Sequence, residues 1–168
     1  MAETIGTRSQ TIVIKGYNPN YIVERRINGT DIYPGHVITN YGESNQNDVD
    51  LCAAGEPPLG IALEHFNDDG LTTNRDPLSI DTVYGDNSSV RVALIGSGMT
   101  CLAFLGGQTT TTAVYGGTNL YVKSSGELQL PTFTTTTAQL AADAESKVGK
   151  CLEYDTGGSL AKVVAVII

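Results

Sequence analysis

The clearest pattern along the chain is a short arrangement of apolar, glycine and acidic positions that occurs twice. The first copy is Leu-Gly-Ile-Ala-Leu-Glu at residues 59–64, and the second is Val-Gly-Lys-Cys-Leu-Glu at residues 148–153. A polar, glycine-bearing turn follows each copy, and after the turn comes a run rich in β-branched residues, 90–95 or 161–168. Such short apolar runs between turn residues are typical of β-strands. The repeat therefore predicts two related β units.

The remaining apolar runs also have the length and composition of strands rather than helices. Further strands are predicted over residues 11–17, 21–27, 36–39, 78–84, 99–105, 119–122 and 127–130. Asn28-Gly29 predicts a tight hairpin turn, and the runs 78–84 and 90–95 predict a β-hairpin. The polar stretch 42–50 predicts an exposed loop, and residues 138–147 predict at most a short helix. The expected fold is all-β, a compact β-barrel or β-sandwich-like body with little helix.

The order of these elements predicts a single β-rich domain over residues 11–168, with related halves at about 30–105 and 106–168. Residues 1–10 are polar and lack periodicity, which predicts a flexible N-terminal arm. Four glycines stand at the turns and strand entries that define the repeat, and we interpret them as structural glycines: Gly35, Gly60, Gly117 and Gly149.

The net charge and the sequence of the first residues argue against nucleic-acid and membrane partners. The 168 residues carry a formal net charge of −8, and the ten Lys and Arg residues form no basic patch. Such a chain repels phosphate groups, so binding to DNA or RNA is not expected. The first residues have no signal-peptide pattern and no stretch is long enough for a membrane span, which predicts synthesis in the cytoplasm and no membrane partner.

The candidate chemical motifs are weak. Cys52, Cys101 and Cys151 are far apart and have apolar or small neighbours, which favours buried, reduced thiols over metal ligands. Polar side chains in the 42–50 stretch could bind calcium, but the stretch lacks the glycine and the glutamate of an EF-hand loop at the required positions. Glycines at 96 and 98 favour a bulge in a strand over a dinucleotide fingerprint. A nucleophilic set could combine Cys101 with His36 or His65, but no spacing selects one. We expect no enzyme activity, cofactor or metal.

The predicted elements follow one order: a glycine turn, a short strand, a polar stretch, an apolar-Gly-apolar-Ala/Cys-Leu-Glu strand, a glycine turn and a Val-rich strand. This order resembles that of the head decoration, or capsid cement, proteins of tailed bacteriophages. The resemblance covers most of residues 30–168; residues 18–28 have no counterpart in the motif. It implies a structural protein on the outer surface of an icosahedral head. Its partner would be the major capsid protein, and it would be a homo-oligomer, with a trimer favoured.

The resemblance also implies that the N-terminal segment docks on the capsid. The candidate contact residues are Ile5 in the arm, the edge formed by Thr11, Ile12, Val13 and Ile14, and the tyrosines Tyr17, Tyr21 and Tyr33. Tyrosines are enriched at interfaces, but they also commonly flank the core of a small β protein. Two alternatives remain: another virion β-module, such as a spike, fibre or tail component, and a carbohydrate-binding module, which the absence of Trp disfavours.

Overall fold

The computed structural model describes residues 12–28, 32–42, 47–63, 83–84, 88–106, 116–130, 144–153 and 162–168. Within these ranges the regular structure is almost entirely β, which confirms the predicted fold class. The strands are β1 (Val13–Lys15), β2 (Ile22–Ile27), β3 (Val37–Asn40), β4 (Asp48–Leu51), β5 (Gly60–Ala62), β6 (Ser89–Leu94), β7 (Thr100–Leu105), β8 (Asn119–Val122), β9 (Leu128–Gln129), β10 (Lys147–Glu153) and β11 (Lys162–Ile167). Single 3-10 turns form at Pro19–Tyr21 and Ser124–Gly126. No helix in the described ranges is long and apolar enough to cross a membrane.

Strands β2 to β6 form a closed barrel in the order β2-β4-β3-β5-β6, and β6 pairs back onto β2. Every pairing in this first barrel is antiparallel except that between β2 and β4. Closure pairs the strands on both sides and so leaves no full-length sheet edge exposed.

Strands β7 to β11 form a second ring in the order β7-β11-β10-β8-β9, which closes through a parallel pairing of Leu105 with Leu128. Strand β1 lies outside this ring and pairs antiparallel with the start of β7. The chain therefore contains two β-barrels in succession, and β1 from its N-terminal part is attached to the second.

The two barrels have the same ladder of strand pairings, so β2 to β6 correspond in order to β7 to β11. The registers also agree: Ala62 faces Val92 as Cys151 faces Val166. The parallel pairs agree as well, because Ile27 faces Val49 as Leu105 faces Leu128. The repeated motif thus forms β5 in one barrel and β10 in the other.

The division between the two units differs from the one that the sequence pattern indicated. The sequence pattern divided the chain after residue 105, whereas the pairing places the division between β6 and β7, so that Thr100–Leu105 opens the second unit. Strand β2 is the counterpart of β7, so residues 18–28 contribute to the repeat after all. No local sequence feature distinguishes a strand that begins one unit from a strand that ends the preceding unit.

Two local predictions were wrong. Asn28 does not introduce a hairpin, because β2 pairs with β4 and β6 and not with the next strand, β3. The stretch 42–50 is not wholly a loop, because Asp48–Leu51 forms β4. Of the predicted 78–84 strand, residues 78–82 lie outside the described ranges, and Tyr84 forms a bridge with Ile32.

Equivalent side chains fill the two barrels. The interior of the first barrel includes Ile27, Ile38, Val49, Ala62 and Val92, and the corresponding residues of the second are Leu105, Leu120, Leu128, Cys151 and Val166. All of these are buried. The second cluster continues outside its barrel and takes in Val37, Ile61 and Ala93 from the first. The two barrels therefore share one continuous apolar contact, which joins them into a single body.

Candidate functional site

The junction between the barrels is built around Phe104, on the outer side of β7. Its ring packs against Gly35, where a β-carbon would lie 3.4 Å from the ring. The backbone N–H of Phe104 donates a hydrogen bond to the carbonyl oxygen of Gly35 at 3.3 Å. Gly35 has a φ of 93°, a backbone conformation in which a side chain would be strained. The glycine therefore both turns the chain into β3 and leaves room for the aromatic ring.

The 3-10 turn at Ser124–Gly126 makes a further contact across the junction. The Gly126 N–H donates to the carbonyl oxygen of Cys52 at 3.0 Å. A β-carbon at Gly126 would lie 2.8 Å from both a Leu51 methyl group and the Val37 carbonyl oxygen. The turn can approach the first barrel this closely only because Gly126 has no side chain.

His36 lies at the centre of this junction, between two aromatic rings. The ring centroids of Tyr33 and Phe104 are 5.5 Å and 5.1 Å from that of His36, and both contacts are edge-to-face. Its Nδ1 accepts a hydrogen bond from the Tyr33 backbone N–H at 3.2 Å. Burial lowers the pKa of His36 from its ordinary value of 6.5 to about 4. The side chain is therefore neutral at pH 7 and serves as a packing residue.

The first barrel also contains a bidentate ion pair. Arg26 donates from Nε to Asp48 Oδ1 at 2.9 Å and from a terminal nitrogen to Oδ2 at 2.6 Å. The Asp48 side chain is 6% exposed and that of Arg26 is 57% exposed. These two residues also face each other in the parallel β2–β4 register. The pair links the two strands that depart from the antiparallel pattern, and sequence inspection missed it because the partners are 22 positions apart.

The predicted contact residues fall into three groups. Ile5 and Thr11 lie outside the described residues. Ile12 and Val13 are 1% and 7% exposed and belong to the core cluster of the second barrel, while Ile14 contributes its backbone to β1. The side chains of Ile12 and Val13 are thus committed to internal packing, which leaves them no surface for a partner.

The three candidate tyrosines are all at the surface. Tyr17 is 61%, Tyr21 43% and Tyr33 36% exposed, and a fourth tyrosine that the sequence did not single out, Tyr41, is 47% exposed. Tyr17 and Tyr21 lie on either side of the Pro19 turn between β1 and β2. Tyr33 differs from the others because its ring packs against His36.

The four structural glycines form two equivalent pairs. The N–H of Gly35 donates to the Ala62 carbonyl oxygen at 2.8 Å, and the N–H of Gly117 makes the same bond to Cys151 at 2.7 Å. Gly60 and Gly149 stand at the entries of the two motif strands, where an added β-carbon would collide with the carbonyl oxygens of Ala93 and Ile167. These positions carry the internal repeat.

Of the residues considered for catalysis, the structure describes Cys101 and His36. Cys101 is buried in the second barrel, while His36 is enclosed by aromatic rings at the junction, and His65 lies outside the described residues. Burial raises the pKa of Cys52 to about 12, with a smaller contribution from Glu56, and its thiol faces two backbone carbonyl oxygens. Among the residues that the structure describes, no group of three or more His, Cys, Asp and Glu side chains could hold a metal ion.

An exposed apolar surface remains on the outer side of the second barrel. Leu152 on β10 is 41% exposed and Ile167 on β11 is 40% exposed. These two strands pair with each other, with Lys150 opposite Ile167. We call this surface, formed by Lys147, Lys150, Leu152 and Ile167, the open face.

Comparisons with known proteins give a similarity of structure but not of sequence. No protein-family model matches the chain, and no curated protein matches it. Among solved structures, the N base of the head fibre gp8.5 of bacteriophage phi29 is similar over 86% of this chain and 92% of that chain, with a TM-score of 0.47 and 10% identity. At this TM-score and identity, the similarity does not establish a shared function.

Proposed function

We propose that the protein is a virion structural protein of a tailed bacteriophage, a decoration or cement protein that binds the outer surface of the head. Its partner is the major capsid protein, whose lattice it stabilises, and it acts as a homo-oligomer, with a trimer favoured. It is made in the host cytoplasm and needs no cofactor or enzymatic site. The observation that carries the proposal is that the motif behind the resemblance forms equivalent strands in two closed barrels.

The arrangement of the surface supports this role physically. Two closed barrels with a shared core give a rigid body, and rigid bodies lose little entropy when they bind. The net charge of −8 disfavours contact with packaged DNA and keeps closely spaced copies soluble. Many copies on a lattice hold it by avidity, so each copy needs only a modest contact surface.

Tyr17 and Tyr21 are the best-placed contact residues. Tyrosine provides a large contact area with few rotatable bonds, and both side chains are exposed on the connection between β1 and β2. They follow β1, and Ile12, directly before β1, is fixed in the core. A docking arm at residues 1–10 would therefore start from a fixed point close to these tyrosines.

The test is binding of the purified protein to expanded, undecorated heads, measured by sedimentation of the heads with bound protein. We expect saturable binding with a fixed number of copies per head and at least a tenfold weaker affinity for Tyr17→Ser/Tyr21→Ser. Tyr41→Ser is the matched control, because it removes an equally exposed tyrosine outside the proposed contact. Absence of binding to heads from several sources would refute the proposal.

A carbohydrate-binding module is the second candidate, and the four exposed tyrosines are the observation that favours it. Aromatic rings can stack on sugar faces. A glycan-array signal that is lost in Tyr17→Ser/Tyr21→Ser, together with no binding to heads, would select this function instead.

A further inference from the structure

The internal repeat allows the same sheet face to be compared in two settings. On the first barrel the outer face of β3, β5 and β6 carries Val37, Ile61 and Ala93, each 0% exposed, and Leu63 after the motif alanine is 1% exposed. The register assigns their counterparts on the second barrel as Asn119, Lys150 and Ile167, with Leu152 after the motif cysteine. Lys150, Leu152 and Ile167 are exposed, while Asn119 is half-buried, so most of the face that is covered on the first barrel is open on the second.

Val37, Ile61 and Ala93 belong to one apolar cluster with residues of the second barrel and with Ile12 and Val13 at β1. The outer side of β7 supplies Phe104, which packs on Gly35 and His36. Because the start of β3 on one barrel meets the outer side of β7 on the next, the contact joins two different surfaces. Repeated between chains, such a head-to-tail contact forms a closed ring or an open filament, depending on the rotation between neighbours.

The open face has the features of a surface that is covered part of the time. Leu152 and Ile167 are exposed apolar side chains, and Lys147 and Lys150 on the same face are exposed cations in a chain with a net charge of −8. At Gly117, the counterpart of Gly35, a β-carbon would meet no atom within 4 Å. Among the described residues, none fills the place at Gly117 that Phe104 fills at Gly35.

The other end of the chain offers the matching surface, the outer side of β2. The strand registers make Glu24 and Arg26 the counterparts of Leu102 and Phe104. Glu24 is exposed and acidic, while Arg26 is held by Asp48. Replacement of two apolar contact residues by charged ones is what distinguishes an interface between separately soluble chains from a permanent internal one.

We propose that the open face of one copy binds the outer side of β2 of a second copy, so that copies associate head to tail. The contact repeats between chains the packing that the two barrels make within one chain. Leu152 and Ile167 supply the apolar centre, and attraction between Lys150 and Glu24 orients the partners. This inference gives the homo-oligomer of the proposed function its interface, and it does not depend on binding to a capsid.

The experiment uses the full chain and analytical ultracentrifugation over a concentration series. Leu152→Asp/Ile167→Asp disables the open face, and Glu24→Arg disables the β2 side. We expect the wild-type chain to associate and each variant alone to lose at least tenfold in association constant. A one-to-one mixture of the two variants still offers one intact pair of surfaces, so it should form a heterodimer and no larger species. Tyr41→Asp, on a similarly exposed side chain elsewhere, should associate like the wild type.

Each possible outcome either supports or refutes the proposed interface. A monomeric wild-type chain, association that survives in either variant, or a mixture without heterodimer would overturn it. Circular dichroism and thermal unfolding of each variant show that the fold is retained. The head-binding assay on the same variants separates the two proposals: a monomer that still decorates heads removes this interface and leaves the proposed function in place.

Discussion

Gly60 and Gly149 occupy the same position in two different barrels: a β-carbon added to either would collide with a backbone carbonyl oxygen, that of Ala93 or that of Ile167. The contacting residues are themselves equivalent in the two ladders. The collision partner is backbone, which cannot move aside as a flexible side chain could. At this position each barrel therefore requires close approach of two strands.

We therefore expect Gly60→Ala and Gly149→Ala each to lower the free energy of unfolding by about 1–3 kcal/mol, the usual cost of overpacking a core. Urea unfolding followed by circular dichroism measures the change. Gly42→Ala is the control, because Gly42 has a φ of 69° but open space around it, so its cost of about 1 kcal/mol is conformational only. Equal effects at all three positions would contradict the steric explanation.

His36 should make stability depend on pH between about 4 and 6.5. Its folded pKa is about 4 and its unfolded value 6.5, so in this window the unfolded chain binds a proton that the native chain does not. Stability from this residue is therefore complete above pH 6.5 and is lost as the pH falls towards 4, by up to about 3 kcal/mol.

The measurement is the difference in unfolding free energy between the wild type and His36→Gln across this pH range. Subtraction removes the contribution of the carboxylates, which titrate in both proteins. A difference that stays constant from pH 7 to pH 4 would show that His36 is accessible to protons in the native state.

Truncation should show that residues 1–10 contribute little to stability, whereas the start of β1 contributes much. Removal of residues 1–10 should leave the thermal midpoint nearly unchanged, because β1 starts at Val13 and its buried neighbour is Ile12. Ile12→Ala should cost about 2–4 kcal/mol, since it removes methylene groups from a close-packed core. If deletion of residues 1–10 unfolded the protein, the arm would be part of the body.

The Arg26–Asp48 pair should stabilise the first barrel. Arg26→Met removes two hydrogen bonds from a carboxylate that is 6% exposed, and we expect a loss of about 1–3 kcal/mol. Lys123→Met is the control, because the Lys123–Glu127 pair is long, at 3.7 Å, and partly solvated, so its loss should cost less than about 0.5 kcal/mol. Equal losses in the two variants would mean that the bidentate geometry contributes nothing.

The sequence alone predicted the all-β class and the motif repeat, because both depend on local alternation and on glycine position. It did not predict which strands are neighbours. Asp48 looked like a loop residue, since the Arg26 side chain that allows its burial is distant in the chain. Ile12 and Val13 looked like a free edge, because an edge strand and a strand packed on a second sheet have the same pattern. The covered and open faces became visible only after the registers had aligned the two barrels residue by residue.

The duplicated ladder also has an evolutionary consequence. A chain that contains the same five-strand order twice, in matching register, is what duplication of a gene for a single barrel would leave. The junction at Phe104 and Gly35 would then descend from a contact between two separate ancestral molecules, made permanent when their genes fused. Under that history Lys150 and Leu152, both exposed, mark the position of the ancestral interface on the second barrel.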